Sequence, residues 1–371
     1  MPVCSNVVTI ALSVFLWSTS IPAVRNIAES ATSKIENQGG NIMFKTIRKL
    51  TCVTAVTLAA MTANVHAADV SLRGASLFDN EHAYSKTLIK FGELVSEYYD
   101  GKAEFDLRGN SELGIEPDYV NFLTQGVAID YAIIAPSNLA RFAPSVPLMD
   151  MPFVFRDLDH WNAVLSSDVL APLEEVLLEK ADLRVIGYAG GGTRNLISNK
   201  VISNLAELKG HKMRVMGAPI QARVFEAATA APAAIAYSEV YNAIQTGVVD
   251  GLENESASLL QYKFFEVAPN ITLTQHSITV RPIIFSNKKF LKLPEDLQAA
   301  ILKAGKEAGD YGREIESKED GIKLQQMADA GQIQVQEFAD RDKLLELVLP
   351  VQDEYAAELG AEELLKAIRS K

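Results

Sequence analysis

Cysteine is nearly missing from this chain of 371 residues, which holds two, Cys4 and Cys52. Both precede residue 67, so a chain processed after that point carries no thiol. It then has no disulfide framework and no cysteine nucleophile, and an oxidising compartment places no redox demand on it. Histidine is also scarce. Beyond residue 67 there are His82, His160, His211 and His276, none in a metal-ligand spacing such as H-E-x-x-H. No G-x-S-x-G elbow precedes a helix. Cations are outnumbered, with 35 Lys and Arg against 47 Asp and Glu for a formal charge of -12. That balance disfavours nucleic acid, which is bound by clustered Lys and Arg, and attachment to an anionic bilayer. No run of about 18 apolar residues follows Ala68, and neither repeats nor low-complexity tracts occur.

What is present is the composition of a soluble globular protein, 48% hydrophobic and 22% charged. The length suggests two domains of about 100–200 residues each, large enough for a core without metals. Near the start, Lys45, Arg48 and Lys49 form a basic segment ahead of the apolar stretch Leu50 to Ala63. Val65-His66-Ala67 follows with the small residues that a signal peptidase reads. Residues 43–67 are therefore expected to be a signal peptide cleaved near Ala67, which places the protein in the periplasm. Val7 to Trp17 is apolar, but no Lys or Arg precedes Arg25, so it makes a poor signal by itself. Translation is expected to start at Met43, with residues 1–42 an extension ahead of the true start. Removing residues 1–67 leaves 30 cations and 45 anions, a charge of -15.

Beyond Ala68 strands and helices alternate. Strands are expected at Val70 to Ser76, Ala103 to Leu107, Ala128 to Ala135 and Leu183 to Tyr188, with helices at His82 to Tyr99, Asp118 to Thr124 and Leu165 to Lys180. The second half continues with strand Lys212 to Met216, helices Pro219 to Ala230 and Ser238 to Thr246, and strands Ile271 to Thr274 and Ile278 to Ser286. This order implies parallel sheets packed by helices. From Leu293 the pattern runs helical to about Ala330, with Pro294 suited to the first helical position and Glu295 and Asp296 to the positive end of the dipole. A helix that long braces more than one domain.

Among residues that could carry chemistry, Gly190-Gly191-Gly192-Thr193-Arg194 lacks the Lys-Ser/Thr ending of a phosphate loop. Asp79-Asn80-Glu81-His82 could hold a metal, but reads better as a polar turn capping the next helix. Arg194 follows the glycine run, and Arg214 sits inside the strand Lys-Met-Arg-Val-Met. Two guanidinium groups can hold one carboxylate through paired N–H···O contacts. On so acidic a chain, local cations must supply the attraction for an anion.

The segments Gly192-Thr193-Arg194, Leu208 to Val215, Ser238 to Asn254 and Phe265 to His276 follow one another in an order that resembles the solute-binding subunit of tripartite ATP-independent periplasmic (TRAP) transporters, the DctP-like family. Glu112-Leu113-Gly114 and Pro152-Phe153 match upstream. The resemblance implies an α/β, two-domain periplasmic-binding-protein-like fold with hinge strands and a long bracing helix. It would place domain I at 68–191 plus 280–318 and domain II at 192–279 plus 319–371. It implies that Arg214 pairs with a ligand carboxylate, Arg194 is a second cationic contact, Asn254 fixes Arg214 or the ligand, and Tyr237 lines the site. Thr229 and Ala234 depart from a glycine and a proline common there. Glu81, His82 and Asn138 are the polar candidates for the far end of the pocket and suit hydroxyl groups. Ile134 to Asn138 lacks the carboxylate of the sialic-acid-binding branch, so a nine-carbon sugar acid is not expected. A sugar acid such as a uronate or aldonate is favoured. The alternative, a C4-dicarboxylate, would need a second cation at that end, for which His82 is the candidate. A ligand-binding partner of a membrane sensor and a hinge-bending periplasmic enzyme are the rivals outside this class. No cofactor, metal or nucleic acid is expected. The partners are the ligand and the membrane subunits, and the chain is expected to be a monomer.

Overall fold

The computed structural model describes residues 70–371. The extension 1–42 and the signal segment 43–67 lie outside these residues. Nine strands form one sheet: β1 (Val70–Ala75), β2 (Ala103–Arg108), β3 (Tyr131–Ile133), β4 (Leu183–Ser198), β5 (Lys212–Val215), β6 (Ala231–Ala234), β7 (Gly251–Asn254), β8 (Asn270–Ser286) and β9 (Gln334–Glu337). The helices that position the site are α1 (Ala83–Tyr98), α2 (Glu116–Gln125), α3 (Pro219–Ala227), α4 (Ser256–Gln261), α5 (Glu295–Asp329) and α6 (Arg341–Glu358). The described residues all belong to a single compact unit.

Strand order is β2-β1-β3-β8-β4-β7-β5-β6, with β9 beside β8. The pairs β1/β2, β1/β3, β5/β6, β5/β7 and β8/β9 are parallel, whereas β3/β8, β4/β8 and β4/β7 are antiparallel. The parallel sheets expected from element order are thus corrected to a mixed sheet. Strands β1 to β4 all run one way and β5 to β9 the other. Helical segments intervene between the parallel neighbours of each lobe, as parallel pairing requires. The mixing arises because β8 enters the first lobe beside β3 while β4 enters the second beside β7. Two long strands are thereby exchanged, and they link the lobes.

Both exchanged strands run past the points where sequence predicts an end. β4 continues through the glycine run because Gly190 (φ +113°) and Gly191 (φ +124°) absorb a bulge opposite Val280. Glycine tolerates this backbone where other residues are strained. The amides of Gly191 and Gly192 both donate to Thr279 Oγ1 at 3.0 Å. In β8, Gln275 takes φ +42° and its amide donates to Asn195 Oδ1, joining the two strands expected there into one. The helix expected at Leu165 to Lys180 is shorter, Ala171–Ala181, and is preceded by a 3-10 turn Asp168–Leu170 and a separate helix Leu158–Leu165, since Pro172 suits the first turn of a helix and not its interior.

Helix α5 lies directly on β4. Gly305 and Gly309 face Gly187 and Tyr188 so closely that a Cβ on Gly187 would overlap the Gly305 carbonyl. Further along, Asp320 accepts the amides of Thr193 at 3.0 Å and Ser256 at 2.8 Å, tying α5 to the hinge and to the start of α4. Gly187→Val is expected to destabilise the protein by roughly 1–3 kcal/mol, because backbone lies on the far side and cannot yield as a side chain would. Thermal unfolding checks this, and an unchanged Tm would mean that α5 does not seat on β4 this closely.

Candidate ligand-binding site

A cavity of about 250 Å³ lies where the lobes meet. Phe78, Tyr84, Glu116 and Asn138 line the side built on β1 to β3, and Arg214, Tyr237 and Asn254 line the other. Arg194 and Arg281 reach it from the exchanged strands. Inter-lobe contacts close around it: the Tyr262 hydroxyl donates to the Leu77 carbonyl at 3.1 Å, and Gln221 Nε2 on α3 donates to Ser137 Oγ at 3.2 Å.

Arg214 is the third residue of β5, where alternation puts it on the face of the exposed Lys212 and opposite the apolar Met213 and Val215. It is buried. Its Nε donates to the Ile235 carbonyl at 2.9 Å, and its guanidinium lies 5.3 Å from the centre of the Tyr237 ring. Asn254 Nδ2 holds the Tyr237 hydroxyl at 2.8 Å. Among the described residues Arg214 makes no ion pair, and burial pulls its pKa below the ordinary arginine value. The terminal N–H groups that remain are suited to a planar carboxylate.

Arg194 is differently placed. Its Nε and Nη2 grip the Glu253 carboxylate at 2.5 and 2.8 Å, Nη2 also donates to the Glu253 carbonyl, and Nη1 reaches Glu255 at 2.9 Å. Burial works against its charge, yet Glu253 and Glu255 raise its pKa above the ordinary value. Burial likewise pushes the Glu253 carboxyl up, but Arg194 and the His276 contact outweigh it and hold the pKa down at about 2. Sequence reasoning makes Arg194 a ligand contact. In the structure nearly all of its donors are committed to Glu253 and Glu255, and it works chiefly as the counter-charge of these two buried glutamates, of which Glu255 borders the cavity.

A third guanidinium, Arg281 on β8, escapes the sequence reading. It stacks 5.3 Å above the Tyr84 ring, and Nη1 makes a long contact to the Val280 carbonyl. Nε is buried without a partner, and no ion pair engages the side chain among the described residues. Burial opposes its charge, but Tyr84, Glu255, Glu116 and Glu316 together raise its pKa above the ordinary value. The signal that singled out Arg214, a lone arginine inside an apolar strand, is present here too, in Val280-Arg281-Pro282. Glu116 escapes the sequence reading too, although it lies two residues beyond the matched Gly114. It opens α2, and Oε2 accepts both the Ala135 amide and Asn138 Nδ2 at 2.7 Å.

Two residues expected at the far end of the pocket require correction. Glu81 is exposed and pairs with Lys86 at 3.6 Å. His82 caps α1: its Nδ1 accepts the Tyr84 amide, and its ring stacks on Phe78 with centroids 3.8 Å apart. Burial, aided by Lys323, Arg281 and Lys86, lowers its pKa well below the ordinary histidine value, so it supplies no cation. Capping turns the imidazole away, and Phe78 and Tyr84 line the wall in its place. Asp79, whose carboxylate accepts the amides of Glu81 and His82, completes a capping turn. No cluster among the described residues could hold a metal ion, and no helix among them is long and apolar enough to cross a membrane.

Two lobes joined by exchanged strands, braced by a long helix and closed around a pocket with unpaired guanidinium groups, define a two-domain solute-binding protein. Residues 75–358 match the model of bacterial extracellular solute-binding protein, family 7, and the chain belongs to that family. A solute-binding protein of Sulfitobacter sp. strain NAS-14.1 is 67% identical over 328 residues, covering 88% of this chain and 99% of that one. A crystal structure of a TRAP periplasmic solute-binding protein from the same strain, with bound alpha-D-taluronate, is 70% identical with a TM-score of 0.80, covering 81% of this chain and 97% of that one. Another, from Citrobacter koseri with bound D-glucuronate, is 30% identical with a TM-score of 0.75, covering 80% and 98%. The family supplies the periplasmic binding component of TRAP transporters, not an enzyme.

Proposed function

We propose that this protein captures a hexuronate or a closely related six-carbon sugar acid in the periplasm and, as a monomer, delivers it to the membrane subunits of a TRAP transporter. The observation that carries this reading is the unpaired Arg214 guanidinium facing the Glu116–Asn138 pair across one small cavity. A carboxylate fits the first and hydroxyl groups fit the second. The 70% identity to a protein crystallised with taluronate points the same way. Export follows from the basic and apolar segments of residues 43–67 with cleavage near Ala67. The moving bodies are residues up to 191 plus 280–318 against 192–279 plus 319–371, with the hinge at Gly190 to Gly192 and the facing Thr279. The ligand would favour closure because it touches both lobes at once.

The test is a thermal-shift and calorimetric comparison of organic acids. D-Taluronate and other D-hexuronates at about 100 times Kd should stabilise the protein by about 2.7 kcal/mol, while the corresponding neutral hexoses should not bind. A protein that bound succinate or malate and ignored every sugar acid would defeat this reading.

A further inference from the structure

Three arginines border this cavity, which on charge alone would suit diacids as well as monoacids. The residue that opposes this is Glu116. It is 6% exposed, borders the cavity and makes no ion pair among the described residues. One oxygen, Oε2, is held by the Ala135 amide and by Asn138, which fixes where the other must lie. Oε1 has no protein partner among the described residues, yet it is not among the sealed, unpartnered polar atoms of the interior. It is thus an acceptor presented to the cavity. Arg194 is already taken up by Glu253 and Glu255, whereas Arg214 and Arg281 make no ion pair among the described residues. A monoanion answers that uncompensated charge. A diacid brings a second negative charge, which approaches the Glu116 carboxylate in a poorly screened site where like charges repel strongly.

We infer that Glu116 is a specificity-determining residue: its free oxygen accepts hydroxyl groups of a sugar-acid monoanion and repels a second ligand carboxylate, so the pocket rejects diacids despite its three arginines. Rejection by an unfavourable contact is a general route to specificity. The inference rests on the sugar-acid reading above and adds to it the basis for discrimination.

The experiment is calorimetry on the purified exported protein with D-taluronate and with the hexarate formed by oxidising C1 of the same sugar. Wild type should bind the hexarate at least a hundredfold more weakly. Glu116→Gln keeps an oxygen for Ala135 and Asn138 but removes the charge. It should bind the hexarate at least tenfold more tightly than wild type does, while taluronate affinity falls. Glu116→Asp, which keeps the charge, should still reject the diacid. The ring of the uronate and the open chain of the hexarate differ equally for both proteins, so the change between them isolates the charge. The inference is overturned if hexarate affinity fails to rise in a Glu116→Gln protein that still binds taluronate, or if that variant keeps the wild-type Tm but loses both acids. It is overturned as well if wild type binds hexarate as tightly as taluronate, a result that leaves the sugar-acid reading standing. Wild-type binding of short diacids alone would instead defeat the sugar-acid reading itself.

Discussion

Replacing Arg214 by alanine is expected to weaken ligand binding by about 2–5 kcal/mol, roughly thirtyfold to several thousandfold, because the ligand carboxylate is left buried without its partner. The fold should survive. Arg214 donates one hydrogen bond to Ile235 and makes no ion pair among the described residues, and burial lowers its pKa, so without ligand it is an uncompensated charge inside the protein. The ligand-free variant should therefore melt at or above the wild-type temperature, as expected where a site is built at a cost in stability. Arg214→Lys should also lose much of the affinity, since a point charge cannot make the paired contact. Calorimetry alongside thermal unfolding separates these effects. Wild-type affinity in the lysine variant would show that paired geometry is not what binds the carboxylate.

Arg194→Met should act in the opposite way. Removing this cation strands Glu253 and Glu255, both 1% exposed, and breaking one side of a buried ion pair typically destabilises by about 3–5 kcal/mol. Tm at neutral pH should fall by roughly 6–15 °C. The pH dependence identifies the cause. In wild type the Glu253 pKa is depressed to about 2. Its contribution is fully present above the unfolded glutamate value and is lost as pH falls through about 2. In the variant, burial without the cation raises the same carboxyl, so the folded state gains stability as pH falls and the proton goes on. The gap between the two proteins should thus narrow steadily from pH 7 to pH 4. A gap that stayed constant would assign the loss to packing of the arginine stem and not to its charge.

Arg194 and Arg214 read alike in the sequence, each a guanidinium beside short apolar runs, and the resemblance names both as ligand contacts. Their difference is a matter of register. Asn195 pairs with Asn254 and Leu196 with Glu253 across β4 and β7. That alignment brings Glu253 and Glu255, 59 and 61 residues further along the chain, onto Arg194. Arg214 lies on the far side of β7 and meets Tyr237 and Ile235 instead. Chain spacing carries no information about such pairings, since they follow from which strand lies beside which.

The same distinction separates what the residues determine alone from what folding decides. The long helix, the strand around Arg214 and the capping turn at Asp79 to His82 were legible because they depend on local pattern: apolar spacing, a proline and acids at a helix start, a polar side chain able to accept backbone amides. Family membership was legible because motifs in fixed order survive without knowledge of the fold. The continuous β4 and β8, the mixed sheet, the withdrawal of His82 from the pocket and the entry of Arg281 and Glu116 were not. Each depends on contacts between segments far apart in the chain. A guanidinium or a carboxylate becomes a ligand contact, a structural partner or a barrier according to which neighbours have already satisfied it, and only the packed tertiary structure supplies those neighbours.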